Sequence, residues 1–137
     1  MKNKNLLVAT LIMIATSFAL TSCEKEEEQF DYPMETLYGT WVGTGICYDD
    51  NYWYDLTDYR FEKFGFSITF YSDGSYYGKG SFGTGSGTYE AIGKTITTYV
   101  DGEVYFKYEV INLSKSSAEL IMYDRSGDSA KIRVKKK

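Results

Sequence analysis

The chain has no histidine, one proline and two cysteines among its 137 residues. The missing histidine removes the commonest general base near neutral pH and the commonest metal ligand together. No nucleophile–base–orienter constellation can be assembled without it, and Ser–Lys pairs do not stand out from spacing. Basic side chains are also in the minority, 15 against 19 acidic, for a net charge of −4. An acidic surface repels phosphate backbones, so nucleic acid is not an expected partner. No cofactor, no metal and no enzymatic activity are expected.

What is present in excess is aromatic. Tyr, Phe and Trp make up 18% of the chain, alongside 13 glycines. Rich aromatics with many glycines and few helix-favouring residues point to an all-β protein.

Residues 1–22 read as a signal peptide, with Lys2 and Lys4 ahead of an apolar run over 6–20. That run is shorter than the ~20 residues a membrane-spanning helix needs. Leu20-Thr21-Ser22-Cys23 resembles the lipobox of bacterial lipoproteins. The resemblance implies cleavage before Cys23 and acyl chains, such as palmitate, on that cysteine. Each buried CH₂ contributes ~0.8 kcal/mol, so several chains make the attachment stable. Removing 1–22 takes two basic side chains and no acid, which brings the net charge to −6. With Cys23 lipidated, Cys47 is a lone thiol, expected to be buried and inert.

Residues 23–36 form the expected lipid-anchored tether. Its stretch 24–28, Glu-Lys-Glu-Glu-Glu, is too charged to pack and reads as a solvated spacer. The stretch also resembles the short acidic signal behind the lipid cysteine of surface-exposed lipoproteins of the Bacteroidota type. The expected location is the outer membrane, facing the cell surface. Around Pro33, the sequence Met34-Glu35-Thr36-Leu37 suits one short helical turn.

Residues 37–137 read as a single domain of eight strands: 39–48, 65–71, 75–80, 87–92, 95–100, 103–112, 117–123 and 130–134. Short turn signals separate most of them, and Asp101-Gly102 is the strongest two-residue hairpin signal. Sequential hairpins leave little room for crossovers, so an up-and-down antiparallel barrel is expected, with a two-sheet sandwich as runner-up. Closure favours the barrel because it removes exposed strand edges.

Gly39-Thr40-Trp41 opens the first strand behind the short helical turn, and Arg133 lies in the last. This resembles the lipocalin-like barrels, which begin with Gly-x-Trp. The resemblance implies structural roles for Gly39, Trp41 and Arg133, with Arg133 packed over Trp41 to close one end. It also implies a mouth ringed by the connections 49–64, 81–85, 101–102 and 124–128.

The 49–64 connection is the one long loop, and six aromatics mark it: Tyr52, Trp53, Tyr54, Tyr59, Phe61 and Phe64. They could form a platform for sugar rings, a lid over an apolar ligand, or a plug over the barrel end. Their share of the burial in so small a domain favours the plug. Phe66, Phe70, Tyr89, Phe106, Tyr108 and Met122 face inward by alternation, together with Ile68, Val104, Val110 and Leu120. They could line a cavity, but side chains this bulky are expected to fill a small barrel. Asp49, Asp50, Asn51, Asp55 and Asp58 lack the EF-hand pattern and read as a solvated acidic loop. Gly78 to Gly83 spells G-x-G-x-x-G but leads into strand, not helix, so it is no dinucleotide site. Glu103, Glu109 and Glu119 alternate with apolar neighbours and read as outward charges.

The leading expectation is a monomeric, membrane-anchored, lipocalin-like module binding a small apolar or aromatic-compatible ligand. The alternative is a filled barrel that presents its acidic, aromatic loop to a glycan or a partner protein.

Overall fold

The computed structural model describes residues 29–49 and 51–137. The expected signal peptide 1–22, Cys23, the acidic stretch 24–28 and Asp50 lie outside the described residues.

Alternating apolar and polar positions become nine strands: β1 (Gly39–Cys47), β2 (Trp53–Asp55), β3 (Phe66–Phe70), β4 (Ser75–Gly80), β5 (Gly85–Ile92), β6 (Thr95–Val100), β7 (Glu103–Leu113), β8 (Ser117–Tyr123) and β9 (Ser129–Lys136). One helical turn, α1 (Met34–Leu37), precedes them, and a 3₁₀ helix covers Tyr59–Phe64. Every strand pairs antiparallel with its sequence neighbour from β3 to β9, and β9 returns to pair with β1. The sheet therefore closes into an eight-stranded up-and-down barrel, with β2 as an extra piece on β1. The Asp101-Gly102 turn has positive φ at both residues, 54° and 83°, as a tight hairpin between β6 and β7 demands.

One end is closed and filled. Trp41, buried at the start of β1, donates its indole N–H to the Leu37 carbonyl at 2.8 Å, which seats α1 beneath the barrel. Ile68, Phe70, Ile96, Leu120 and Val134 pack around it and leave a void of only about 10 Å³. Burying side chains of this size contributes about 2 kcal/mol each. Gly43, inside β1, leaves room for the Phe66 ring, which a Cβ there would overlap.

The cation over Trp41 is Lys136, with Nζ 4.9 Å from the ring centroid. This corrects the role expected of Arg133. Ile132 and Val134 face the core, so strand alternation puts Arg133 outside and brings Lys136 to the inner side at the closed end. Arg133 instead stacks on Trp53 on the outer wall, its guanidinium carbon 3.8 Å from the ring centroid. Gly39 has φ 124°, so the strand opens with a backbone that favours glycine.

Three bulges re-aim side chains. In β1 the extra residue is Thr44, and in β7 it is Ile111, which is left exposed. The third lies in β7 at Tyr105–Phe106, opposite Thr98. Thr98 is fully buried, and its hydroxyl donates to the Phe106 carbonyl (3.0 Å) and accepts from the Phe106 N–H (3.1 Å). One threonine thus satisfies the peptide groups that the bulge takes out of the ladder. Beyond the bulge the faces swap. Val104 pairs with Tyr99 on the outer face, against the inward position that simple alternation expects.

Candidate functional site

The long connection after β1 begins as part of the wall. Cys47, Ile46 and Gly45 pair with Trp53, Tyr54 and Asp55, so β2 continues the barrel wall above β3, which reaches only Gly39 to Val42 of β1. The Leu56 N–H donates to the Thr44 carbonyl at 3.0 Å and its side chain is buried. Asp55 and Asp58 organise the turns that follow. Asp55 accepts from the Thr57 N–H and hydroxyl, and Asp58 from the Arg60 N–H and guanidinium. These bonds hold both carboxyls below the usual carboxylate range. Among the described residues no three His, Cys, Asp or Glu side chains gather closely enough to hold a metal ion.

The six aromatics of this connection divide by register. Tyr54 and Phe61 pack against the core, with ring centroids 5.5 Å apart. Trp53 pairs with Cys47 on the outer wall, where Gly45 leaves room for the indole beside Arg133. Tyr52, Tyr59 and Phe64 are exposed, Tyr59 to 80%. None of the six borders the cup at the mouth or the space behind Phe82, and Tyr54 and Phe61 pack inward against the core, as a plug would. β2 builds Trp53 and Tyr54 into the wall, while Tyr59, Phe61 and Phe64 belong to the 3₁₀ helix that follows.

The mouth itself holds a cup of about 620 Å³. Phe82, Phe106, Met122 and Ala130 form its apolar floor, and Tyr48, Asp49, Asp124 and Asp128 stand around its rim. The Asp124 carboxylate accepts the N–H groups of Ser126 and Asp128, at 2.9 and 3.0 Å, which fixes the β8–β9 turn. The volume falls within the range typical of small-molecule sites, and the lining is mixed, with polar groups beside the apolar floor.

Behind Phe82 lies a second space of about 130 Å³, between the β4–β5 hairpin and β7. It exists because Gly78 and Gly85 pair across that hairpin and place no side chain inside. Phe66, Tyr76, Tyr105, Phe106 and Tyr108 enclose the rest. Tyr105 reaches the pocket because of the bulge, and its hydroxyl donates to the Phe82 carbonyl at 2.6 Å, fastening the loop 81–84 over the barrel. Burial pushes the Tyr76 and Tyr108 phenols up, so both stay neutral.

Of the inward set expected from sequence, Phe66, Phe70, Tyr89, Tyr108 and Met122 are buried in the barrel and Phe106 is half-buried at the base of the mouth. Phe70 and Tyr89 serve the closed half, where their rings meet at 4.8 Å and the Tyr89 hydroxyl donates to the Tyr71 carbonyl. Phe66, Phe106, Tyr108 and Met122 face the two cavities. Sequence reasoning missed Tyr76, Phe82 and Tyr105. Phe82 sits in a glycine-rich link that signals only a turn, whereas Tyr76 could have been found as the inward partner of Phe70 across a hairpin.

Cys47 is a free, buried thiol, its Sγ 3.6 Å from the Tyr48 carbonyl. No protein-family model matches this chain, and no curated protein matches it either.

Proposed function

We propose that the chain is a lipid-anchored envelope lipoprotein whose lipocalin-like barrel binds one small apolar or aromatic-compatible ligand at its mouth. The observation that carries this reading is the contrast between the two ends. The closed half leaves about 10 Å³, while the mouth keeps a cup of about 620 Å³ over Phe82, Phe106 and Met122. An apolar floor of this kind gains from covering by a ligand, and the anchored rim residues hold it open. The lipobox at Cys23 and the acidic stretch behind it support attachment to the outer membrane on the cell-surface side. Binding, not catalysis, is the role that a histidine-free site of rings, methionine and carboxylates supports.

The test is titration of the full chain with a retinoid-like polyene, followed by quenching of tryptophan emission. Saturable quenching that Asp128→Trp abolishes supports the reading, because residue 128 lies on the cup. A flat titration overturns it. The second reading, a surface presented to a glycan or partner protein, draws on the exposed rings of Tyr48, Tyr52, Tyr59 and Phe64. Glycan-array binding lost on Tyr52→Ala and Tyr59→Ala would favour it.

A further inference from the structure

Tyr108 is 4% exposed, and among the described residues its hydroxyl has no hydrogen-bond partner. It is a wall residue of the 130 Å³ pocket behind Phe82. Its neighbour Tyr105 is spoken for, donating to the Phe82 carbonyl. A buried donor left unmade costs the full desolvation of that group, roughly 1–3 kcal/mol. Such a group is retained in a core where it meets something else.

We infer that this pocket is a ring-sized subsite in which Tyr108 donates a hydrogen bond to an acceptor on the bound ligand. Four observations define the ligand class. The volume compares with the roughly 150 Å³ cavity known to hold one benzene ring. The walls are mainly Phe66, Ile68, Phe82, Val100 and Phe106, with Ser67, Lys79 and Thr84 also bordering the space, so the ligand body is mostly apolar. Gly78 and Gly85 make the facing wall bare backbone, which lets a planar ring lie close to the sheet. The free group is a neutral phenol, so its natural complement is a carbonyl, ether or ring-nitrogen acceptor.

The assignment deepens the mouth reading and rests on it, since the mouth is the barrel end where Phe82 and Phe106 border both spaces. A ligand with an aromatic head and a longer apolar body would place its head behind Phe82 and its body in the cup.

The experiment uses the full chain in lipid nanodiscs, with empty discs as reference. Acetophenone is compared by calorimetry with α-methylstyrene, which has the same shape but a CH₂ in place of the carbonyl oxygen. Acetophenone should bind roughly five- to tenfold more tightly. Tyr108→Phe should erase that preference while leaving the unfolding temperature unchanged or higher. Gly78→Val, at a position where a Cβ meets nothing closer than 3.6 Å, should abolish binding of both probes without unfolding the barrel. Equal binding of the two probes overturns the role of Tyr108, as does a preference that survives Tyr108→Phe. Loss of fold in Tyr108→Phe also overturns it, because the hydroxyl would then be serving the protein. Binding of neither probe overturns the subsite. The mouth reading fails separately, through a flat polyene titration in a chain that still binds acetophenone.

Discussion

Lys136 stands over Trp41 with its ammonium 4.9 Å from the ring centroid, and donates to the Thr36 carbonyl at 2.8 Å. The last strand thereby holds α1 against the first. Replacing Lys136 with Ala removes a cation–π contact and a hydrogen bond at once, and the expected loss is about 1 kcal/mol. Trp41→Phe strips the Leu37 carbonyl of its indole donor inside the closed end and should cost about 2 kcal/mol. Urea unfolding of the two variants checks both values, and a Lys136→Ala midpoint equal to wild type would remove Lys136 from the account.

Trp53→Ala tests the outer wall. The indole lies between Gly45 and Arg133, and Arg133 also reaches Glu119 at 3.5 Å. Truncating a half-buried ring here should cost about 1–2 kcal/mol and leave ligand affinity at the mouth unchanged. A large loss of binding with little loss of stability would instead put Trp53 in the site.

Gly43→Ala should destabilise by about 1–3 kcal/mol, because the new methyl runs into the buried Phe66 ring. Phe66→Leu in the same chain should recover part of that loss, since the two positions share one space. Thermal unfolding of the two single variants and the double variant measures the coupling. Additive losses would mean that Phe66 is not the obstacle.

Alkaline pH should unfold the barrel. Burial pushes the Tyr89 phenol up to about 12 from an ordinary value of 10, and Tyr76 and Tyr108 shift in the same direction. In the unfolded chain these phenols release their protons more readily, so the unfolded state binds fewer protons above pH 10. The stabilisation from keeping them neutral is complete below pH 10 and is lost as pH rises towards 12. Unfolding temperatures should be level below pH 9 on this account and fall above 10, with a shallower fall in Tyr89→Phe. A Tyr89→Phe profile parallel to wild type would contradict it.

Cys23→Ser should release the protein from the membrane fraction and abolish incorporation of labelled palmitate. Retention of an uncleaved, membrane-bound form would end the lipoprotein reading.

Most of the barrel was legible because its strands alternate cleanly. The bounds of β4, β6 and β8 coincide with those read from residues alone, and the Asp101-Gly102 hairpin has the backbone its letters require. Three features were hidden for physical reasons. A bulge depends on which residues oppose each other across two strands, so nothing within 103–113 announces that Val104 changes face. A three-residue strand such as β2 is too short to show a period, and its aromatics therefore read as a loop. Glycines at 78 and 85 looked like turn signals, although their effect is to hollow out an inner wall. The Arg133 assignment is different, because the answer lay in the alternation itself. With Ile132 and Val134 inside, only the even-numbered Lys136 could reach Trp41.

Phe30 bridges to Gly93: the Asp31 N–H donates to the Gly93 carbonyl and the Gly93 N–H to the Gln29 carbonyl, both at 2.8 Å. Gly93 turns β5 into β6 at the closed end, so the chain enters the barrel opposite its mouth. With lipid on Cys23, only residues 24–28 separate membrane from clamp, a reach of roughly 18 Å when fully extended. The anchor then dictates an attitude as well as an address. On the proposed anchoring the filled end would face the bilayer, and the cup would open away from it, towards whatever arrives from solution.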